Sequence, residues 1–243
     1  MIVRVPYHQD EVVDSIPPLG ETVAPVLPAG TVWERLAALH GVVADRVAAE
    51  IRAGGAPTVV SGDCLVALGT LAGVQRAGVD PAVVWFDAHG DVHTLETTTS
   101  GYLGGLALRL AMGAHPDLVA GPLGLRPLAA ARVLLVDARD LDPPEAAFLA
   151  SGGPAVCAVD EIDDAVLPAG PLVLHVDVDV IDPAELPGLR FPAPGGPSTG
   201  AVLGAVRRVL ATGRVVALDI AAPWHPAPDD EARADLLSAL LTS

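Results

Sequence analysis

Residues 83–94 read VVWFDAHGDVHT, an apolar run that ends abruptly in Asp87, His89 and Asp91. The run LVLHVDVDVIDP at 172–183 closes in the same way with Asp177 and Asp179, and TVVSGDC at 58–64 closes in Cys64. Carboxylates and an imidazole at the end of a buried strand cost several kcal/mol unless something compensates them, and no Lys or Arg stands within 83–94. Side chains at i, i+2 and i+4 of an extended chain share a face. Asp87, His89 and Asp91 therefore converge if strand geometry persists past Phe86, and Asp177 and Asp179 have the same spacing. Taken singly, each residue has a plainer role: an aspartate caps a turn or helix, a histidine is a structural hydrogen-bonding group, a cysteine fills core. Jointly, four carboxylates, one imidazole and one thiolate are too many for one tetrahedral zinc. They suit two divalent cations about 3.5–4 Å apart with bridging carboxylates.

The elements that must present these residues follow from the apolar pattern. Strands are expected at 2–5, 58–60, 82–86, 132–136, 155–158, 171–176 and 214–219, and helices near 31–53, 64–77, 101–113, 143–150, 198–212 and 229–242. Strand–helix alternation with nearly continuous apolar strands implies an α/β protein whose parallel sheet is covered on both faces. In such a sheet, ligands gather outside the carboxyl ends of the strands, where SGDC, DAHGD and DVDVIDP all fall. The Pro-rich stretch 16–28 and residues 183–198 read as surface loops. No internal repeat or long linker divides the chain, so residues 1–243 are expected to form a single domain.

Half of the 243 residues are apolar and only 3% aromatic, so the core must be built from Ala, Val and Leu. The formal charge of −16 argues against nucleic-acid and anionic-membrane partners. Two cysteines make no disulfide framework, the N-terminus lacks the layout of a signal peptide, and no apolar run is long enough to span a membrane. A reducing, cytoplasmic setting is expected.

The blocks SGDCLVALG, DAHGDVHTLETTTSGYLGG and HVDVDVIDPAELPG followed by PAPGG resemble, in order, the signature blocks of the ureohydrolase family, the arginases and agmatinases. The likeness runs from about residue 58 to 226. It implies a three-layer α/β/α sandwich around a mostly parallel sheet and a centre of two divalent ions, Mn²⁺ in the family. The implied reaction is hydrolysis of a linear C–N bond in a guanidino or amidino group, releasing urea or a urea analogue. Position by position, it implies one ion on Cys64, Asp87, Asp91 and Asp177, and a second on His89, Asp87, Asp177 and Asp179. The aspartate matching Asp91 also handles the proton of the nucleophile. Thr98 and Ser100 match positions that reach a substrate α-carboxylate, and Asp142 and Glu145 match positions that bind its α-amino group. Family members are often trimers or hexamers, so a homo-oligomer is expected.

Three departures stand out. Cys64 replaces a family histidine, and a softer thiolate moves metal preference toward Zn²⁺ or Fe²⁺; a branch acting on Nω-hydroxyarginine resembles this arrangement. Gly104 replaces the histidine that shuttles protons to the leaving amine. Ala222 stands where the family carries a glutamate that pairs with the guanidinium, a charge-assisted contact that arginine hydrolysis would miss. His93, in place of an asparagine, and His225, beside Trp224, are the spare imidazoles that could supply acid/base catalysis. The expectation is a metal-dependent hydrolase of divergent specificity. The alternatives are a metal-binding homologue that has lost catalysis, or a subunit that modulates a complete one.

Overall fold

A computed structural model describes residues 1–226 and 231–242. Strands β6 (Ala82–Phe86) and β9 (Leu172–Asp177) are buried at every position. Such strands cannot lie at an edge or under a solvated face, and they occupy the middle of a sheet covered twice. Among the described residues this sheet has eight strands, in the order β4 (Glu21–Thr22), β1 (Ile2–Val5), β5 (Thr58–Ser61), β10 (Val215–Ala221), β9, β6, β7 (Val133–Val136) and β8 (Ala155–Cys157). Every neighbouring pair in it is parallel.

The chain winds outward from β6 through β7 to β8, then returns to insert β9 and β10 between β5 and β6. A reversal of winding opens a crevice beyond the carboxyl ends of the strands. Here those ends are Ser61, Phe86, Asp177 and Ala221.

Side chains of alternate parity feed two cores. Val83, Trp85 and Val173 pack with α1 (Val32–Arg52), α2 (Ala67–Arg76) and α3 (Ala107–Ala111), while Val84, Phe86, Leu174 and Ile220 pack with α6 (Thr199–Ala211) and α7 (Glu231–Leu241). Helix α1 begins at a capping box of Thr31 and Glu34, which satisfies its first amides. Close approach of α1 and α2 requires Gly73, since a Cβ there would lie 2.6 Å from the carbonyl oxygen of Ala44. Helix α4 (Ala120–Leu123) also lies against α1 and α2, and α5 (Pro143–Ala150) starts with Pro143 after the cap Asp142.

The three-layer α/β expectation holds, with local corrections. The Pro-rich segment contributes β4, and Tyr7–His8 and Glu11–Val12 form a small antiparallel pair, β2 and β3. Two-residue strands leave no periodicity to read. The helix expected over 101–113 is shorter: 104–106 form a 3₁₀ turn before α3, and Gly113 at φ +99° lies beyond its end. Residues 229–230 of the last expected helix lie outside the described residues.

Candidate metal centre

The strand ends turn rather than extend, and aspartates make the turns. Asp63 Oδ1 accepts from Leu65 N at 2.7 Å, Asp87 Oδ1 from His89 N at 2.7 Å, and Asp177 Oδ1 from Asp179 N at 2.9 Å. Each bond fixes a residue two positions on. Strand geometry therefore stops at Phe86 and Asp177, and Asp91 sits at φ +53°, a left-handed conformation that Asp adopts more readily than most residues. The convergence expected from i, i+2 alternation is produced instead by capped turns. Capping and convergence are not rival roles, because a carboxylate has a second oxygen.

Residues carried by these turns line one cavity of about 220 Å³. Cys64, Asp87, His89, Asp91, Asp177 and Asp179 all face it. The Cys64 thiol donates to Asp177 Oδ2 across 2.7 Å. Asp87 Oδ2 accepts from Trp85 Nε1 at 3.0 Å. His89 Nδ1 lies 3.2 Å from Asp87 Oδ1 and 3.3 Å from Asp179 Oδ2. Ligand-capable atoms of Asp87, His89 and Asp179 fall within 4.8 Å of one another, and so do those of Cys64, Asp87 and His175.

Electrostatics mark this as a place short of positive charge. Burial pushes the Asp91 and Asp177 carboxyls well above their ordinary range, and the charges of neighbouring aspartates add to it. Asp179 rises to about 6, through burial and then the charge of Asp87. Burial and the charges of Asp177, Asp91 and Asp87 raise the Cys64 thiol. Burial alone would lower His89, but its bonds to Asp179 and Asp87 outweigh this and lift it to about 12. Burial works against the Asp87 carboxylate too, yet the His89 and Trp85 bonds hold it below the usual value. Asp91 Oδ2 is buried with no hydrogen-bond partner. Oxygen, nitrogen and sulfur donors that share one cavity with an unsatisfied carboxylate oxygen fit divalent cations.

A second tier encloses the cavity. His93 faces it, with Nδ1 3.1 Å from Thr97 Oγ1 and Nε2 3.0 Å from Asp142 Oδ2 and 3.6 Å from Glu145 Oε2. Glu145 is buried and also caps α5, accepting from Val92 N and Asp142 N. Ser100 lines the cavity; Thr98 does not, and instead lies 3.5 Å from Ser100 Oγ and accepts from Gly101 N. Tyr102 and Phe191 form an aromatic wall, their rings 4.5 Å apart. Phe191 arrives on the loop after β9, which Asp182 fastens by accepting from Gly195 N and Gly196 N.

A sequence model of the arginase family matches residues 22–242. The chain belongs to the arginase family. It is 33% identical over 195 residues to the arginase of Eremothecium gossypii, covering 74% of this chain and 49% of that one. It is 33% identical over 179 residues to the N(omega)-hydroxy-L-arginine amidinohydrolase of Streptomyces lavendulae, covering 72% and 63%. Its fold superposes on the crystal structure of arginase from Bacillus cereus with a TM-score of 0.82, at 25% identity over 99% of this chain and 96% of that one. In sequence, the chain spans about half the length of the first two arginases it matches.

Within an arginase-family frame, the departures take physical form. At Gly104 a Cβ would collide with the Tyr102 ring, so the space a longer side chain would use is filled. Ala222 is fully buried in the apolar cluster with Trp224 and does not line the cavity. His225 does not line it either. It is exposed, and its backbone bonds Gly188 and Arg233. The expectation that His225 serves catalysis finds no support in this placement; an isolated β-bridge to Leu189 holds the preceding Trp224.

Sequence reasoning passed over four residues here: Asp140, Tyr102 and Phe191, which line the cavity, and His175, close to Cys64 and Asp87. Only His175 carried a signal, as a polar residue inside an otherwise apolar buried strand.

Proposed function

We propose that this protein is a metal-dependent hydrolase of a linear C–N bond in a small guanidino, hydroxyguanidino or related amidino compound. The observation that carries the reading is the meeting of Cys64, Asp87, His89, Asp91, Asp177 and Asp179 at one cavity. One ion would be held by Cys64, Asp87, Asp91 and Asp177, and the other by His89, Asp87, Asp177 and Asp179. Mn²⁺ is the family's metal, and the thiol widens the choice to Zn²⁺ or Fe²⁺. Two such ions, when bound, lower the pKa of a shared water and so supply a nucleophile at neutral pH.

The chain's own groups do the rest. Asp91, with one oxygen free of protein partners, holds the nucleophile's proton. His93, steadied by Thr97 and Asp142, delivers a proton to the leaving amine. Asp142 and Glu145 receive the amino end of the substrate, and Ser100, supported by Thr98, its carboxylate. Tyr102 and Phe191 exclude water from the reacting group. With Ala222 offering no carboxylate, a substrate less basic than arginine is favoured.

A second reading, a metal-binding homologue without turnover, draws on the filled space at Gly104 and the apolar setting of Ala222. Metal analysis followed by a urea- and amine-release assay over guanidino, hydroxyguanidino and amidino compounds separates the two. Faster release from a hydroxyguanidino amino acid than from arginine is expected. No release from any compound at full metal occupancy would transfer the case to the second reading.

A further inference from the structure

His175 lies two residues before Asp177 on β9, so strand alternation puts both side chains on the same face. It is completely buried, and its Nδ1 lies 2.8 Å from Asp219 Oδ1 on the adjacent strand. A carboxylate only accepts, so Nδ1 donates, and Nε2 is the ring nitrogen left with a lone pair. Thr70 on α2 donates to the other Asp219 oxygen, which fixes the carboxylate from behind. The imidazole stacks on Trp85 with ring centroids 3.6 Å apart, and Trp85 in turn donates to Asp87. Every contact orients the ring, yet Nε2 is buried without a hydrogen-bond partner. An unmet buried polar atom is costly, and this one belongs to a ring whose ligand-capable nitrogen lies within 4.8 Å of Cys64 Sγ and an Asp87 oxygen.

Building on the metal-centre reading above, we propose that His175 is an additional metal ligand, binding through Nε2 the same ion as Cys64 and Asp87. The Thr70–Asp219–His175 series is then a carboxylate–histidine–metal arrangement, in which the outer partners set the tautomer and aim the ring. It also accounts for the position of Cys64. Where the family's histidine has become cysteine, an imidazole reaches the same ion from β9, with β10 lying between it and the strand that leads to Cys64. The ion so held has sulfur, nitrogen and oxygen donors, a set that favours Zn²⁺ or Co²⁺ over Mn²⁺. His175 is a ligand in this proposal, and Asp219 and Thr70 are positioning residues.

The test uses the purified full chain loaded with Zn²⁺ or Co²⁺. His175→Asn keeps a donor toward Asp219 and removes Nε2. The wild type should bind two ions. The variant should lose at least about tenfold in affinity for one of them, as loss of even an outer partner costs 10–100-fold, and its cobalt–thiolate absorption should move. Asp219→Asn should weaken the same ion within that range. Two ions in the wild type with unchanged affinity and spectrum in His175→Asn would overturn the assignment while leaving the metal centre intact. A wild type that binds no metal would overturn the centre itself, and the assignment with it. Should the variant fail to fold, X-ray absorption on the metal-loaded wild type decides. Two imidazoles per chain, from His89 and His175, support the proposal, and one refutes it.

Discussion

The Tyr102 ring occupies the volume that any side chain on Gly104 would enter. Its hydroxyl donates to Asp63 Oδ2 at 3.1 Å, so the ring is held from the turn that also carries Cys64. Gly104 is thus part of the packing of the site wall, and a histidine there requires the Tyr102 ring to move. Gly104→Ala should destabilise the protein by about 1–3 kcal/mol, the usual range for overpacking. Tyr102→Ala should relieve most of that cost in the double variant. Chemical denaturation of the single and double variants measures both, and additive losses would refute the collision.

Of the two spare imidazoles, only His93 reaches the cavity. His93→Ala should lower turnover about 10²–10⁴-fold, the scale of a lost acid/base group, while metal content stays the same. His225→Ala should leave turnover near that of the parent protein. Steady-state assays with metal analysis check the pair; loss of turnover in the His225 variant would return that residue to the site.

Cys64→His exchanges a soft, anionic donor for a neutral imidazole and should lower Zn²⁺ affinity relative to Mn²⁺. Competition between the two metals, read by elemental analysis, gives the ratio. An unchanged ratio would mean that the thiol is not a ligand.

Cations that bind only the folded chain stabilise it by mass action. Each site held at a hundred times its dissociation constant adds about 2.7 kcal/mol, or roughly 5–10 °C for a chain of this size. Chelation followed by readdition of metal should lower and then restore Tm by that amount for each ion removed and rebound. A Tm indifferent to chelator and metal would contradict the proposed centre.

His40 on α1 is fully buried with neither ring nitrogen partnered, and burial lowers its pKa to about 3. The unfolded chain takes up a proton near pH 6.5, whereas the folded chain does so only near 3. The unfolded state therefore binds more protons across this window, and stability falls as pH drops from 6.5 toward 3. The contribution is fully present above pH 6.5. His40→Leu should flatten that part of the profile relative to the parent protein. Tm measured from pH 7 to 4 on both proteins checks it; parallel profiles would refute it.

Much of the layout is legible in the sequence. Runs such as AVVWF are apolar on both faces, as a doubly covered parallel strand requires; all seven expected strands, with α1, α5 and α6, fall within two residues of where the pattern put them. The clustering of Cys64, Asp87, His89, Asp91, Asp177 and Asp179 was legible too, because parallel topology sends all carboxyl ends to one side.

What the sequence determined by itself was therefore local and directional: which segments are strands, which ends carry acids, and that those ends share a side. Tertiary structure alone decided who meets whom. It placed His93 at the cavity and His225 outside it, and it filled the space at Gly104 with Tyr102. It also set His175 between Asp219 and the donor atoms of Cys64 and Asp87. Periodicity reports the face on which a side chain lies, while contact depends on strand order and on turns that bring together residues as far apart as Cys64 and Asp177. No local pattern encodes that pairing, because it is fixed only when the whole sheet closes its hydrogen bonds and both cores pack.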